Sequence, residues 1–204
     1  TCELLELGRD AVKRQIEFLQ MEKKIIVKDM EGDRLLYASM AYYTELNTAR
    51  MLLDLNVSYE LTDSVLETRS TALERKEDIE LDELQRKAVF ETARHGVFVL
   101  TGGPGTGKTT TIRTMLDFFE REGLDILLAA PTGRAAKRMT EATGYEAQTI
   151  HRMLEFNGAI DSGDDKEDQA LKFGRNEGNP LECDAIIVDE MSMVDSFIFH
   201  SLLK

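Results

Sequence analysis

The chain has 204 residues, and its 38 acidic side chains outnumber 25 basic ones, which gives a net charge of −13 at pH 7. This balance argues against a strongly basic nucleic-acid-binding protein, so any contact with DNA must rest on a focused basic patch. No stretch approaches the roughly 20 apolar residues of a membrane span, and we expect no membrane contact. The two cysteines fit no metal or redox spacing and are typical of reduced thiols in a cytoplasmic protein.

Residues 1–80 predict a small, mainly helical accessory region. Residues 9–21 and 41–55 carry apolar side chains at helical spacing. Two apolar runs flank a glycine-containing turn and predict a hairpin over residues 25–37. A helix followed by such a hairpin is winged-helix-like, which leaves DNA or partner contact open, although we favour a simple packing role. Residues 56–80 are polar and acidic and predict either a linker or a partly exposed helix.

From residue 81 onward, predicted helices alternate with predicted strands. Leu84, Ala88, Val89 and Ala93 form one helical stripe, and residues 110–121 and 135–142 predict two further helices. Buried strands are predicted at residues 97–100, 126–130 and 185–188. This alternation predicts an α/β domain with a parallel sheet and a site at the carboxyl ends of its strands. The acidic residues between 157 and 180 predict an exposed excursion.

A glycine-rich loop follows the first predicted strand. Residues 102–109 fit the phosphate-binding pattern G-x-x-x-x-G-K-T without a mismatch. Its glycines let backbone N–H groups point at phosphate oxygens, and the helix that follows favours an anion at its N-terminus. Lys108 would contact the β and γ phosphates, and Thr109 would offer its hydroxyl to Mg²⁺. The expected nucleotide contacts are Gly103, Pro104, Gly105, Thr106, Gly107, Lys108, Thr109 and Thr110.

Two carboxylates follow the last predicted strand and would complete this site. Asp189 would hold Mg²⁺ with Thr109, and Glu190 would polarise the attacking water. The expected catalytic residues are therefore Lys108, Asp189 and Glu190. The alternative is an ordinary acidic turn at the end of a strand.

Three cations share one face of the predicted helix at residues 135–142 and the turn before it. Arg134, Lys137 and Arg138 are spaced i, i+3 and i+4, which suits contact with a phosphate backbone. A solvated basic face is the alternative.

Short segments between residues 81 and 204 together resemble motifs of the RecD-like family of superfamily 1 helicases. They are residues 81–85 (a Q-type motif), 102–109 (motif I), 130–139 (motif Ia), 149–152 (the segment after it), and 173–181 with 187–195 (the run into motif II). The resemblance implies that Gln85 contacts the adenine and that motif Ia and the next segment lie along single-stranded DNA. The implied nucleic-acid contacts are Thr132, Arg134, Lys137, Arg138, His151 and Arg152.

The resemblance implies an ATP-dependent 5′→3′ DNA helicase that uses ATP and Mg²⁺ and acts on single-stranded DNA or DNA ends in recombination or repair. Residues 81–204 would be the first part of a RecA-like motor domain, truncated before motifs III to VI and inactive alone. Any protein partner stays unknown. Two alternatives remain, another P-loop ATPase such as a nucleotide kinase, or a nucleotide-regulated module that binds a protein through acidic residues 157–184.

The family topology also gives an expectation for the sheet. The strand of motif III usually lies between the strand before the phosphate loop and the strand before motif II. We therefore expect residues 185–188 to be poorly ordered or to pair with a strand from another copy, rather than to pair directly with residues 97–100.

Overall fold

A computed structural model describes residues 8–77, 80–103, 105–156 and 173–204. The chain divides into two compact units, Thr1–Arg50 and Met51–Lys204. The sequence assigns the start of the motor domain to residue 81, and that assignment stays a prediction. No helix in the described part of the chain is both long and apolar enough to cross a membrane.

The first unit contains the expected helices and hairpin. Its elements are α1 (Arg9–Met21), β1 (Ile25–Met30), β2 (Asp33–Ala38) and the start of α2 (Ser39–Leu55). The two strands pair antiparallel, with Ile25 opposite Ala38. Glu31 and Gly32 have φ of 50° and 92°, the left-handed pair that suits a two-residue hairpin turn. The hairpin is therefore confirmed, while its winged-helix role stays a prediction.

The second unit alternates helices with short parallel strands. Its elements after α2 are α3 (Asp63–Glu77), α4 (Glu83–Arg94), α5 (Lys108–Arg121), β3 (Ile126–Ala130), α6 (Gly133–Thr143), β4 (Ala147–Thr149), α7 (Ile150–Met153), β5 (Ala185–Val188), a 3₁₀ turn (Met191–Met193) and α8 (Ser196–Leu202). The strand order is β4-β3-β5, and both pairs are parallel. This sheet, flanked by helices, is consistent with the expected RecA-like P-loop domain.

The predicted strand at residues 97–100 is not part of this sheet, so that prediction is wrong. No backbone hydrogen bond joins these four residues to another described residue. Both edges of β3 are already occupied, by β4 and β5, so β3 offers no edge on which this run could pair. Phe98 and Leu100 instead pack against the core beneath α3, α4 and α5, whereas Val99 is 78% exposed.

The strand before Asp189 is ordered, contrary to expectation. Residues 185–188 pair with residues 126–129 of β3, so a poorly ordered or borrowed strand is not needed. Direct pairing with residues 97–100 does not occur, as expected. The sheet therefore places Asp189 beside the end of β3 rather than beside residues 97–100, which lead into the phosphate loop.

Helix α3 supplies part of the core, and of the two alternatives for residues 56–80 the partly exposed helix is observed. Leu66 and Leu73 are both 0% exposed and pack with Val89 of α4 and Met115 of α5. The buried stripe predicted for α4 is correct at Ala88 and Val89 but wrong at Leu84, which is 79% exposed. Leu81, just before the helix, occupies the buried position instead.

Candidate nucleotide-binding site

The glycine-rich loop joins residues 97–100 to the N-terminus of α5. Gly105 and Gly107 have φ of 72° and 76°, a left-handed backbone that glycine adopts without steric cost. Gly107 is the N-cap of α5, and its carbonyl accepts from Thr111 Oγ1 at 3.0 Å. Thr106 Oγ1 donates to the Gly103 carbonyl at 2.9 Å. Pro104 lies outside the described residues.

The Lys108 side chain folds back over this loop. Its Nζ donates to the carbonyls of Gly102 and Gly103 at 2.5 and 2.6 Å. An ammonium group held at the mouth of a turn rich in N–H groups is placed to meet an anion there. Thr109 and Thr110 follow on the first turn of α5 and are exposed.

Gln85 approaches the loop from α4. Its Oε1 accepts from the backbone N–H of Asp82 at 3.1 Å, and the Asp82 carboxylate accepts from the Gln85 N–H at 2.9 Å. A Cβ atom added at Gly107 would lie 2.9 Å from Gln85 Nε2, so the end of the Gln85 side chain lies against this glycine. The structure therefore brings the residue of the Q-type motif to the phosphate loop, 22 positions away in the sequence.

Glu74 of α3 fixes the start of α4. Its Oε1 accepts from the Leu81 N–H at 2.9 Å and from Arg86 Nη2 at 2.7 Å. The Glu74 side chain is 14% exposed, so this pair is shielded better than a surface ion pair. Sequence reasoning missed both Asp82 and Glu74. The D-x-x-Q pattern of a capping box could have identified Asp82, but no local signal marks Glu74.

The two carboxylates lie at the carboxyl end of β5. The Asp189 N–H donates to the Ala129 carbonyl at 3.0 Å, and Asp189 Oδ1 accepts from the Glu190 N–H at 2.8 Å. Glu190 has φ of 53°, a left-handed conformation that costs a residue with a side chain energy and is often found at functional sites. Both side chains line one cleft with Thr109.

This cleft suits a magnesium ion. Mg²⁺ prefers oxygen ligands and is commonly held by one or two protein groups together with substrate phosphates. The Thr109 hydroxyl and the Asp189 carboxylate line it beside Glu190, whereas the hydroxyl of Thr143, another lining residue, is hydrogen-bonded to Met139 and Tyr145. The donor set therefore fits the ion that the sequence leads us to expect.

The residues expected to contact nucleic acid lie near the same edge of the sheet. Thr132 is the N-cap of α6 and accepts from the Ala135 N–H at 3.2 Å, and Arg134 and Lys137 are exposed on that helix. Ala130 of β3 is opposite Thr149 of β4, so the segments that follow the two strands begin at the same edge of the sheet.

The second of these segments is α7, which carries His151 and Arg152. Both side chains are exposed, and the Arg152 N–H is capped by Thr149 Oγ1 at 3.2 Å. The His151 ring packs edge-on against Phe156, with centroids 5.6 Å apart, and Phe156 in turn contacts Phe173. Sequence reasoning did not single out Phe156, since a lone aromatic residue after a short helix carries no distinctive signal.

Arg138 differs from the other two cations of α6. Its side chain lines the cleft that also contains Thr109, Asp189 and Glu190. Lys137 instead pairs with Glu141 on the exposed face, with Nζ 3.8 Å from Oε1. All three cations are exposed, and of them Arg138 alone lines this cleft, while their shared DNA-facing surface stays a prediction.

Comparisons with known proteins agree with these features. A family model described as an AAA domain matches residues 85–204. The ATP-dependent RecD2 DNA helicase of Deinococcus radiodurans is 41% identical over 123 residues, which cover 60% of this chain and 16% of that protein. The RecBCD enzyme subunit RecD of Haemophilus influenzae is 32% identical over 184 residues, or 78% of this chain and 26% of that subunit. The ATP-dependent DNA helicase dda of Enterobacteria phage T4 is 34% identical over 119 residues, or 58% of this chain and 26% of that protein.

The chain thus spans between 16% and 26% of the length of these three relatives. The AAA domain model covers more than half of the chain and includes the phosphate loop, α6 and both carboxylates of the cleft. The chain belongs to the AAA domain family, as a RecD-like member of superfamily 1.

Proposed function

We propose that the chain is the ATP-binding part of a 5′→3′ DNA helicase that couples ATP hydrolysis to movement along single-stranded DNA. The observation that carries this proposal is the shared cleft of Thr109, Asp189 and Glu190 beside the phosphate loop. A phosphate-binding turn alone binds a nucleotide. A carboxylate beside the helix that follows the turn adds the means of activating water.

Each residue of the site has a separate task in this proposal. Gly103, Gly105, Thr106 and Gly107 bind phosphates by their backbone N–H groups, and Lys108 exchanges its two loop carbonyls for phosphate oxygens. Thr109 and Asp189 hold Mg²⁺, Thr110 contacts a phosphate, and Gln85 contacts the adenine. Mg²⁺, when bound, neutralises phosphate charge. Glu190 accepts hydrogen bonds from the attacking water and orients it.

The nucleic-acid surface extends over Thr132, Arg134, Lys137, His151 and Arg152. All five side chains are exposed, and they follow two neighbouring strands. Arg134, Lys137 and Arg152 are basic, and His151 is next to Arg152 in the sequence. Cations on this edge suit a phosphate backbone and would read no sequence. We further propose that the physiological substrate is single-stranded DNA or a DNA end in recombination or repair, and that the protein is cytoplasmic.

The test is the ATPase activity of the full-length protein with and without single-stranded DNA. We expect stimulation by DNA, and faster unwinding of a duplex with a 5′ overhang than of one with a 3′ overhang. Lys108→Ala is the control that removes both activities. ATP turnover that ignores DNA but transfers phosphate to a nucleoside monophosphate would favour the nucleotide kinase alternative, and turnover that responds only to a protein would favour the binding module.

Substitution of Arg134 and Lys137 by Ala tests the DNA surface. We expect the affinity of the full-length protein to fall alike for all DNA sequences, with a shallower dependence on salt, because fewer phosphates would be contacted. A change in sequence preference would contradict a backbone role.

A further inference from the structure

Helix α6 presents cations to two different surroundings. Arg138 lines the cleft with Thr109, Asp189 and Glu190, whereas Arg134 and Lys137 do not. The same helix therefore carries exposed residues of the proposed DNA surface and one cation beside the carboxylates of the nucleotide site.

Helical geometry explains this division. Ala135, Met139, Ala142 and Thr143 of α6 line the same cleft. Successive residues of a helix advance by about 100°, so Arg138 is nearer to this stripe than either Arg134 or Lys137. Ala135 and Ala142 lie at i−3 and i+4 from Arg138, directly beside it on the helix surface, and their methyl side chains leave space for a long one.

The charges in the cleft favour a role for this arginine. Among the described residues that line it, Arg138 is the cation and Asp189 and Glu190 are the anions. No carboxylate in the described ranges forms an ion pair with Arg138, so its charge is not committed elsewhere. A nucleotide bound at Thr109 would bring more negative charge to this cleft, which a nearby guanidinium offsets.

We propose that Arg138 is a positioning residue that couples DNA bound on α6 to the carboxylate of Glu190. This inference rests on the proposed helicase function. DNA bound along the exposed side of α6 shifts the helix as one rigid element, and Arg138 moves with it at the cleft. Coupling between two such sites is reciprocal and typically amounts to roughly 5- to 150-fold in affinity.

The experiment uses the full-length protein with Arg138→Ala, Arg138→Lys and, as the matched control on the same helix, Arg134→Ala. The ATPase rate is measured against single-stranded DNA concentration. For Arg138→Ala we expect kcat at saturating DNA to fall at least about fivefold. Arg138→Lys restores part of kcat, because it keeps the charge. Arg134→Ala raises the half-saturating DNA concentration, which is the effect expected of a residue that contacts DNA alone.

A binding measurement without turnover gives an independent readout. The Kd for a fluorescent oligonucleotide is measured with and without a non-hydrolysable ATP analogue. In the unsubstituted protein the two Kd values differ, and in Arg138→Ala the difference disappears because the reciprocal coupling is lost. Arg134→Ala keeps the ratio of the two values while both rise.

Two outcomes overturn the inference while the helicase function stands. One is DNA-stimulated turnover in which Arg138→Ala keeps the kcat of the unsubstituted protein. The other is an Arg138→Ala variant that loses only DNA affinity, as Arg134→Ala does. That result would assign Arg138 to the DNA surface. If DNA does not stimulate the unsubstituted protein, the proposed function fails and the coupling fails with it. If Arg138→Ala has a lower melting temperature, the kcat values of Arg138→Lys and Arg138→Gln are compared instead, because both substitutions keep a long side chain.

Discussion

Asp82 and Gln85 are joined by two reciprocal hydrogen bonds, each from the main chain of one residue to the side chain of the other. Gln85 Oε1 accepts from the Asp82 N–H at 3.1 Å, and the Asp82 carboxylate accepts from the Gln85 N–H at 2.9 Å. Because the amide oxygen is engaged in this way, the amide nitrogen is the group that faces Gly107. The cap of α4 therefore sets which atom of Gln85 is presented to a nucleotide.

Asp82→Ala tests this relationship. We expect the free energy of unfolding to fall by about 1 kcal/mol, because an N-cap acceptor is lost. We also expect a weaker preference for ATP over GTP, because the Gln85 amide becomes free to rotate. Denaturant titration and competition binding measure the two effects. Glu83→Ala, one residue away and exposed, is the control, and Asp82→Asn should behave like the unsubstituted chain because it keeps an acceptor.

Lys108→Ala should weaken ATP binding by about one to two decades. A charge-assisted contact with phosphate contributes roughly 1.5–3 kcal/mol, which corresponds to that range of affinity. Titration with a fluorescent ATP analogue measures it. Lys87→Ala removes an exposed lysine of α4 and should bind ATP normally. Equal affinity in Lys108→Ala and Lys87→Ala would show that the nucleotide does not bind at this loop.

Substitutions at Glu190 test its left-handed backbone and its proposed role in hydrolysis separately. Glu190→Gly should have a free energy of unfolding about 1 kcal/mol higher than Glu190→Ala, because only glycine adopts this conformation without a Cβ clash. In the full-length protein, Glu190→Gln should keep ATP binding and lose hydrolysis by orders of magnitude. A Gly variant no more stable than the Ala variant would argue against strain at this residue.

Leu66→Ala should destabilise the second unit strongly. Leu66 is 0% exposed and lies in the core that α3, α4 and α5 share, so the substitution leaves a cavity and should cost about 2–5 kcal/mol. The matched control is Leu84→Ala on α4, which removes the same atoms from a side chain that is 79% exposed and should change stability by less than about 0.5 kcal/mol. Chemical denaturation of both variants gives the comparison.

Tyr145 offers a pH-dependent test of packing between α5 and the segment after α6. Its hydroxyl donates toward Asp117 at 3.1 Å and Glu120 at 2.7 Å. Burial, followed by these carboxylates, raises the pKa of the phenol in the folded chain. The stabilisation is therefore complete below the unfolded pKa of about 10 and declines as the pH rises above it. Tyr145→Phe should be less stable by about 1 kcal/mol at pH 7, and this difference should shrink above pH 10.

The sequence was most informative where a local pattern carries its own physical cause. The phosphate loop, the hairpin turn at Gly32 and the helical stripe of α5 all follow from backbone conformation or side-chain periodicity, and the structure contains each of them. Thr109 and Asp189 line one cleft, as their two motifs lead us to expect, although residues 97–100 are not a strand of the sheet.

Features that depend on contacts between distant segments were not predictable in this way. Residues 97–100 have the composition of a strand, but among the described residues they pair with neither of the two edge strands, β4 and β5. Leu84 fits the apolar period of α4, yet its side chain is 79% exposed and Leu81 is buried in its place. The position of Arg138 depends on how α6 packs beside α5, which spacing along the helix alone does not determine.

The pairing pattern of the sheet has a consequence for the order in which the domain opens. Strand β3 is hydrogen-bonded on both sides, whereas residues 97–100 form no backbone hydrogen bonds with described residues. Amide hydrogens should therefore exchange with solvent slowest in β3 and fastest in the run that leads into the phosphate loop. The loop is attached to a segment without backbone hydrogen bonds to described residues, so bound ATP should be detected as slower exchange there.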